Sequence, residues 1–366
     1  MLKIIRIIVG VLFIFSGLIK LNDPTGLGYK MEEFFDVWGL SFFDNYSLAF
    51  AFLMNIFEIV AGVAILIGWR MKLFSWLLLL LIIFFTFLTG YAMFSGKITT
   101  CGCFGDCIKL TPAMSFTKDL ILTALILIIF SNRNKIKAAF GNVSGSAIIG
   151  VTTLLCILAQ WHVLKHLPLV DCLAYKKGKN LVDQMKIPTG ALPDSFVTKF
   201  IYTKNNNKLE FDANNLPADL DSTYIFVDRT QKLVRAATGI PPITDFILFS
   251  ENGTDTTQAI LNQQGKYVML LMKDATKADN GWSENARTVS DACRQKQIPF
   301  FVVTGTTETA QKQLPESNVI HYLKCDVTVI KTASRVNPAY FVMDGPVVKE
   351  KVANVDFEKV VKVIGQ

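Results

Sequence analysis

Residues 73–94 read LFSWLLLLLIIFFTFLTGYAMF, an apolar run without a single charged residue. A helix needs about 20 such residues to cross the hydrocarbon core of a bilayer. Because backbone N–H and C=O groups must pair with each other inside a membrane, such a run adopts the helical conformation there. The run therefore predicts a transmembrane α-helix.

Four similar stretches flank this run, at residues 4–19, 48–69, 116–130 and 147–164. Each approaches or reaches the length of a spanning helix, and the stretches 4–19 and 116–130 are the shortest. The first is followed by Lys20, Asn22 and Asp23 instead of a small-residue cleavage site, so we expect it to remain as a signal anchor. The sequence thus predicts an N-terminal α-helical transmembrane bundle of four to five helices.

The composition differs between the two halves of the chain. Overall, 51% of residues are hydrophobic and 18% are charged, which is too apolar for a soluble protein of 366 residues. Through Lys165 there are 13 Lys and Arg against 8 Asp and Glu, and the remainder holds 24 against 22. We therefore place the boundary near Lys165. The net charge of +7 does not indicate nucleic-acid binding, because no basic cluster is interleaved with aromatic residues.

Basic residues between the apolar stretches predict the orientation of the bundle. They precede the first stretch, lie between the second and third, and lie between the fourth and fifth: Lys3, Arg6, Arg70, Lys72, Arg133, Lys135 and Lys137. The positive-inside rule places these residues in the cytoplasm. The loops 21–47 and 95–115 then face outward, and five spans put the soluble half outside as well. If residues 147–164 did not span, that half would be cytoplasmic.

Three cysteines lie in the second outward loop, within Thr100–Cys107, which reads TCGCFGDC. In an oxidising compartment such thiols form or exchange disulfides. Cys103 can meet Cys107 across one helical turn, and Cys101 can meet Cys107 if the loop folds back at its glycines. We expect an oxidised pair within the loop. The third cysteine is then free, pairs with another such as Cys172, or acts as a resolving thiol. A structural disulfide and a redox pair both remain open, whereas zinc is disfavoured for want of a fourth ligand.

Two charged residues interrupt the apolar stretches. Lys20 ends the first, where it can extend to the interface, and Glu58 lies near the middle of the second. Charges inside a membrane face the bundle interior and pair, or they mark a path for protons or ligands. Structural pairing and proton handling both remain open for Glu58, and a direct pair with Lys20 would require tilted or staggered helix packing.

Three motifs in the first 130 residues resemble the DoxX-like superfamily, and specifically its MauE-like branch. They are the run from Phe15 to Pro24, Glu58 followed by Gly62 and Gly68, and the cysteine loop. MauE-like proteins are associated with maturation of the disulfide-rich methylamine dehydrogenase subunit, and DoxX-like proteins with thiosulfate:quinone oxidoreduction. The resemblance implies membrane-embedded thiol or sulfur redox chemistry, with quinone as a candidate cofactor and an extracytoplasmic protein thiol as a candidate partner. It leaves the substrate undefined.

The soluble half predicts a small β-rich region followed by an α/β domain. Runs 196–202 and 223–227 are strand-like and lie among turn residues. Beyond Pro242, five strand-like runs, 246–249, 267–272, 300–304, 319–323 and 340–343, are accompanied by helical stretches, 283–296, 308–314, 327–334 and 357–364. Such alternation is typical of an α/β sandwich. We expect a bundle at 1–135, a fifth helix at 146–165, a linker and β-rich region at 166–240, and the α/β domain at 241–366.

Residues 335–345 resemble the end of a thioredoxin-like domain, where a cis-proline precedes a buried strand. Here that proline is Pro338, preceded by Asn337. Thioredoxins place Cys-x-x-Cys at the start of the helix after the first central strand, but residues 279–286 contain no cysteine. The resemblance therefore implies a degenerate domain that can still bind a peptide beside Asn337 and Pro338. We expect Cys293 to be a core residue and leave the reactivity of Cys325 open.

Two functions follow from these patterns. The first is a membrane thiol-disulfide or sulfur:quinone oxidoreductase component that uses Cys101, Cys103 and Cys107, with Lys20 and Glu58 as the charged site in the bundle. The second is a noncatalytic membrane scaffold whose thioredoxin-like domain binds a protein or peptide. Either function places the chain in a bacterial inner membrane with the C-terminal domain in the periplasm. A transporter is disfavoured because the five spans show no inverted repeat.

Overall fold

The computed structural model describes residues 1–98, 100–191, 195–204, 207–212, 216–217, 220–221, 223–235 and 239–365. Met1–Gly178 and Ile247–Gln366 form one compact unit, and Lys179–Phe246 forms a second. The α-helices are α1 Leu2–Asn22, α2 Pro24–Val37, α3 Ser47–Ile67, α4 Met71–Ser95, α5 Pro112–Ser131, α6 Asn142–His166, α7 Leu181–Gln184, α8 Thr257–Leu261, α9 Trp282–Gln295, α10 Thr307–Gln313, α11 Val327–Ala333 and α12 Glu358–Gly365. The strands are β1 Ser195–Lys204, β2 Asn207–Asp212, β3 Ile225–Arg235, β4 Lys266–Met272, β5 Phe300–Thr304, β6 Ile320–Lys324, β7 Ala339–Asp344 and β8 Val347–Ala353.

Five helices of the first unit, α1, α3, α4, α5 and α6, are long and apolar enough to cross a membrane. This confirms the predicted bundle. Left-handed glycines end two of these helices, Gly68 after α3 and Gly96 after α4, since glycine adopts positive φ without a Cβ clash. Pro112 starts α5, and the Thr111 side chain caps it by accepting a hydrogen bond from the Met114 amide.

Helices α1 and α3 pack closely through small residues. A Cβ on Gly10 would lie 2.5 Å from the Leu66 side chain, and a Cβ on Gly62 would lie 2.9 Å from the Gly10 carbonyl oxygen. Small residues allow helix backbones to approach in this way inside membranes. The close approach brings the C-terminal end of α1 against the middle of α3.

The connection between the first two spanning helices, residues 21–47, contains a helix that the apolar pattern did not predict. The side chain of Asp23 accepts a hydrogen bond from the Gly26 amide at 2.8 Å and thereby caps α2, with Pro24 in its first turn. A short 3-10 helix, Ser41–Tyr46, connects α2 to α3. Helix α2 therefore occupies most of the segment for which the sequence predicted a loop.

The C-terminal part of the first unit is an α/β domain with a mixed five-stranded sheet, as predicted. The strand order is β6-β5-β4-β7-β8, with β4, β5 and β6 parallel and β7 and β8 antiparallel to their neighbours. Its core includes the buried Val268, Val302 and Tyr340 of the central strands. Two details differ from the prediction. Phe249 makes only isolated bridges instead of belonging to a strand over 246–249, and β8 adds an edge strand.

The second unit contains a three-stranded antiparallel sheet of order β2-β1-β3. Strand β1 pairs with β2 from Lys199 opposite Asp212 to Lys204 opposite Asn207. Two of the strand-like runs of the sequence, 196–202 and 223–227, contribute to β1 and β3. Along the chain, this unit follows the bundle and precedes the α/β domain, and it also contains the short helix α7.

The oxidised pair predicted within the cysteine loop is wrong. Cys107 instead forms a disulfide with Cys172, which follows α6, and their Cα atoms are 4.9 Å apart. The segment before Cys172 is held at the bundle, because Asn22 exchanges hydrogen bonds of 2.9 and 3.0 Å with the backbone of Val170. A long-range contact therefore supplied the partner that loop spacing alone left open.

We predict that the Cys107→Ser/Cys172→Ser variant loses about 2–4 kcal/mol of unfolding free energy, because the disulfide closes a long loop of the unfolded chain. Thermal unfolding of the purified protein in detergent without reductant measures the loss, with Cys156→Ala as the matched control. Differential alkylation should label Cys107 and Cys172 only after reduction. Labelling of both before reduction would contradict the disulfide.

Candidate functional site

Cys101 and Cys103 are free thiols in the loop between α4 and α5, and both are half-buried. Gly102 between them has φ +68°, which turns the backbone, and a Cβ at this position would lie 3.2 Å from the side chain of Lys30 in α2. The loop therefore lies directly against α2. Ser16 of α1 donates a hydrogen bond to the Cys103 carbonyl oxygen at 3.0 Å and fixes the loop to the bundle.

The hydroxyl group of Ser115 faces both thiols. Ser115 is only 1% exposed, and its oxygen makes no hydrogen bond of normal geometry within the part of the chain that the structure describes. It nevertheless lies close enough to Cys101 and Cys103 to lower the pKa of each. An unpartnered buried hydroxyl carries a desolvation cost, and here it is placed to donate a hydrogen bond to a thiolate.

Burial raises the pKa of both thiols and outweighs this effect. The pKa of Cys101 rises from 9.0 to about 11, and the neighbouring Cys103 contributes to the rise. The pKa of Cys103 also rises through burial, although the charges of Lys118 and Lys20 oppose the rise. Since the thiolate is the reactive form, burial in this loop conformation disfavours the reactive form of both cysteines.

Lys20 and Glu58 form a buried ion pair beneath the loop. The Lys20 Nζ atom lies 2.8 Å from the Glu58 Oε2 atom, and the two side chains are 4% and 3% exposed. The Phe85 ring lies 4.6 Å from the ammonium group, and Asn55 donates a hydrogen bond to the Lys20 carbonyl oxygen. The close packing of α1 on α3 thus brings Lys20, near the C-terminal end of α1, into contact with Glu58, in the middle of α3.

A second, partly buried ion pair, Lys118 and Asp119, was missed by the sequence interpretation. Lys118 donates a hydrogen bond to Asp119 Oδ1, and the Thr89 hydroxyl donates one to Asp119 Oδ2 at 3.0 Å. Asp119 is completely buried. The available signal was the presence of two adjacent charges inside the apolar stretch 116–130, where charged residues are rare and functional.

Two small cavities meet at Cys103. The inner cavity, about 30 Å³, is lined by Cys103 and by both ion pairs. The outer cavity, about 20 Å³, is lined by Cys103, Ser115 and residues of α2. Each has room for only one or two water molecules. Neither has room for a quinone ring, so the residues beside Lys20 and Glu58 do not fit the cofactor that the family resemblance implied.

The predicted peptide-binding residues of the α/β domain lie at the start of β7. The Asn337–Pro338 bond is cis, and Pro338 is buried. The Asn337 side chain accepts a hydrogen bond from the Lys273 amide and donates one to the Asp274 carbonyl oxygen, both at 2.8 Å. Asn337 therefore fixes the end of β4 beside the proline. Cys293 and Cys325 are both buried, which agrees with the expected core position of Cys293.

Residues beside Pro338 contact the membrane bundle directly. Arg335 Nε lies 2.7 Å from Asp23 Oδ2, and its Nη2 atom donates to Asp106 of the cysteine loop. Lys273 Nζ lies 2.9 Å from the Tyr29 hydroxyl oxygen. Burial, aided by nearby positive charges, lowers the pKa of Lys273 to about 7. No local sequence signal could have revealed these contacts, because they join residues more than 200 positions apart.

We predict that Ser115→Ala raises the pKa of Cys101 and Cys103, because the thiolates lose their hydroxyl donor. The alkylation rate of both thiols near neutral pH should fall by about three- to tenfold, as expected for a shift of up to about one pKa unit. Alkylation across alkaline pH, followed by mass spectrometry, measures the shift. The control is Thr117→Ala, an exposed position on the same helix, and equal rates in both variants would exclude a role for Ser115.

We predict that Lys20→Met lowers the unfolding free energy by about 3–5 kcal/mol, because the Glu58 charge is left buried without its partner. The double variant Lys20→Met/Glu58→Leu should lose less than Lys20→Met alone. Thermal unfolding in detergent tests both. A double variant as unstable as the sum of the two single variants would show that the two groups are not coupled.

Comparison with known proteins supports the membrane half of these expectations. Residues 1–132 match the family model described as methylamine utilisation protein MauE, and residues 196–236 match a domain of unknown function, DUF8463. The chain is 29% identical to protein TlpB of Flavobacterium psychrophilum over 129 residues, which are 34% of this chain and 35% of that protein. The chain thus matches about a third of that relative's length, and no solved structure matches significantly. The first 132 residues are therefore MauE-like, as their motifs predicted.

Proposed function

We propose that this membrane protein exchanges thiols and disulfides with an extracytoplasmic protein through Cys101 and Cys103. The observation that carries the proposal is a pair of free thiols separated by a single residue, facing an unpartnered buried hydroxyl on Ser115. The MauE-like character of residues 1–132 supports it. The disulfide of Cys107 with Cys172 serves as the structural link and leaves the other two thiols for exchange.

The proposed location is the bacterial inner membrane, with the cysteine loop and the α/β domain on the periplasmic side. The support is the set of basic residues at the opposite ends of the helices, before α1, between α3 and α4, and between α5 and α6. A disulfide between Cys107 and Cys172 also suits an oxidising compartment. Partner disulfides and thiols are available on that side.

Cys103 is the proposed attacking thiol, and Cys101 is the resolving thiol. Cys103 lines the outer cavity, whereas Cys101 packs against the apolar cluster that contains Phe34 and Ile98. The charges of Lys118 and Lys20 also lower the pKa of Cys103 and so favour its thiolate. Glu58 holds Lys20 in place and Asp119 holds Lys118, so two positive charges stay near the Cys103 sulfur.

The exchange follows the usual two steps. The Cys103 thiolate attacks one sulfur of a partner's disulfide, the partner's S–S bond breaks, and the released partner thiolate takes up a proton. Deprotonated Cys101 then attacks the Cys103 sulfur of the mixed disulfide and releases the partner's second thiol. The partner gains two electrons and two protons, and the loop becomes a Cys101–Cys103 disulfide. A protein dithiol reduces the loop again by the reverse steps.

The α/β domain is proposed to be a thioredoxin-like module without dithiol chemistry. Strands β5, β4, β7 and β8 are adjacent in the order of that fold, and the cis Asn337–Pro338 bond precedes β7 as in thioredoxins. The start of α9 at Trp282 carries no cysteine. A noncatalytic scaffold is the alternative function, favoured by the direct contact of Arg335 with the bundle. In that case Cys101 and Cys103 take no part in exchange.

We predict that Cys101→Ser accumulates a mixed disulfide with an extracytoplasmic protein, because the attacking Cys103 remains and the resolving thiol is gone. Cys103→Ser should trap none, and Cys156→Ala, a buried cysteine of α6, should behave as wild type. Acid quenching of cells, followed by nonreducing electrophoresis and mass spectrometry, detects the adduct. If neither loop variant traps a partner, the scaffold function replaces exchange.

A further inference from the structure

Three basic side chains form a surface on the α/β domain beside Pro338. They are Lys273 at the end of β4, Lys331 in α11 and Arg335 in the loop before Pro338, and we call them the basic surface. Arg335 is 7% exposed and therefore needs charge partners. In the structure these partners come from the membrane bundle.

Tyr29 of α2 lies among all three basic groups. The centre of its ring is 5.6 Å from Lys273 Nζ, 5.0 Å from Lys331 Nζ and 5.7 Å from the Arg335 guanidinium carbon. Its hydroxyl group accepts a hydrogen bond from Lys273 at 2.9 Å. An aromatic ring attracts cations within about 6 Å of its centre, so the ring of Tyr29 fits this surface.

Carboxylates complete the contact. Lys331 pairs with Glu32 of α2 at 2.9 Å. Arg335 joins two separate parts of the bundle, because its Nε pairs with Asp23 at the start of α2 and its Nη2 pairs with Asp106 of the cysteine loop. The planar guanidinium group can hold two carboxylates at once, which a lysine ammonium group does less specifically.

Helix α2 covers the cysteine loop on its outer side. The outer cavity is lined by Gly26, Leu27 and Lys30 of α2 together with Cys103 and Ser115. A Cβ on Gly26 would lie 3.0 Å from Arg335 Nη2, so the glycine admits the guanidinium group. Arg335 thereby holds the start of α2 and the cysteine loop in one place.

We propose that the basic surface is a binding site for an acidic segment carrying a tyrosine, that α2 occupies it in the same chain, and that this contact keeps the cysteine loop closed. A partner protein with such a segment displaces α2 and exposes Cys101 and Cys103. The regulatory consequence rests on the proposed exchange function. The binding of α2 itself does not.

The closed loop has a chemical consequence that supports this role. Burial raises the pKa of Cys101 from 9.0 to about 11, which lowers its thiolate fraction near pH 7 by about a hundredfold. Hydration on opening reverses this change. The contact therefore keeps the two thiols buried until a partner displaces α2. In this closed state, the face beside Pro338 binds α2 of the same chain.

The test measures the alkylation rates of Cys101 and Cys103 in the full chain, reconstituted in lipid nanodiscs at neutral pH. Arg335→Ala should raise the rate at Cys101 by about tenfold or more, up to the hundredfold change in its thiolate fraction, and should also raise the rate at Cys103. Arg335→Lys should lie between Arg335→Ala and wild type. Lys349→Ala, which removes an exposed ion pair with Asp344 in the same domain, is the matched control and should react as wild type.

A peptide with the sequence of residues 25–35, TGLGYKMEEFF, provides a second measurement that needs no variant. Added to the wild-type protein, it should compete with α2 and accelerate alkylation, whereas a peptide of scrambled sequence should not. Glu32→Gln is a milder variant in case Arg335→Ala does not fold, and retention of the Cys107–Cys172 disulfide reports folding. Unchanged rates in folded Arg335→Ala or Glu32→Gln, together with no effect of the peptide, overturn the proposal.

The alkylation test and the trapping experiment fail independently. Faster alkylation in Arg335→Ala without any trapped partner supports the closing contact and rejects the exchange function. A trapped partner with unchanged alkylation supports exchange and rejects the closing contact. In Cys101→Ser/Arg335→Ala, both proposals together require a larger yield of mixed disulfide than in Cys101→Ser alone.

Discussion

The ion pair between Lys20 and Glu58 is the interaction on which the arrangement of the bundle depends. Both side chains are almost completely buried, and the two atoms are 2.8 Å apart. A charge buried without its partner would cost several kcal/mol, so α1 and α3 must pack in the register that joins the pair. The glycine contacts of Gly10 and Gly62 permit that register. Lys20 and Glu58 line one cavity together with Cys103, so the position of the cysteine loop depends on the same helix register.

The surroundings of the two thiols combine burial with groups that stabilise negative charge. Burial raises the pKa of Cys101 and Cys103, while the Ser115 hydroxyl opposes the rise for both. The lysines of the two ion pairs act on Cys103 in the same direction as Ser115. This combination suits a dithiol that is stored in a protonated form and becomes reactive when water enters the loop.

The α/β domain contacts the bundle with the face on which a thioredoxin-like protein would hold a peptide. The cis Asn337–Pro338 bond is present, but the neighbouring Arg335 is paired with Asp23 and Asp106. The missing Cys-x-x-Cys and this occupied face are consistent with each other. On the proposed thioredoxin-like interpretation, a domain without the Cys-x-x-Cys motif can serve for contact with its own chain, because the contact needs only charge and shape.

The sequence by itself determined the membrane helices and the α/β domain, and it singled out the cysteine loop by residue type. These features follow from apolar length, strand and helix periodicity, and residue type, all of which are local. The tertiary structure alone decided that Cys107 pairs with Cys172, that Lys20 meets Glu58, and that Arg335 joins α2 to the cysteine loop. Such pairs join residues 38 to 312 positions apart, and their energies depend on burial. Local patterns carry no information about which distant side chains share a buried site.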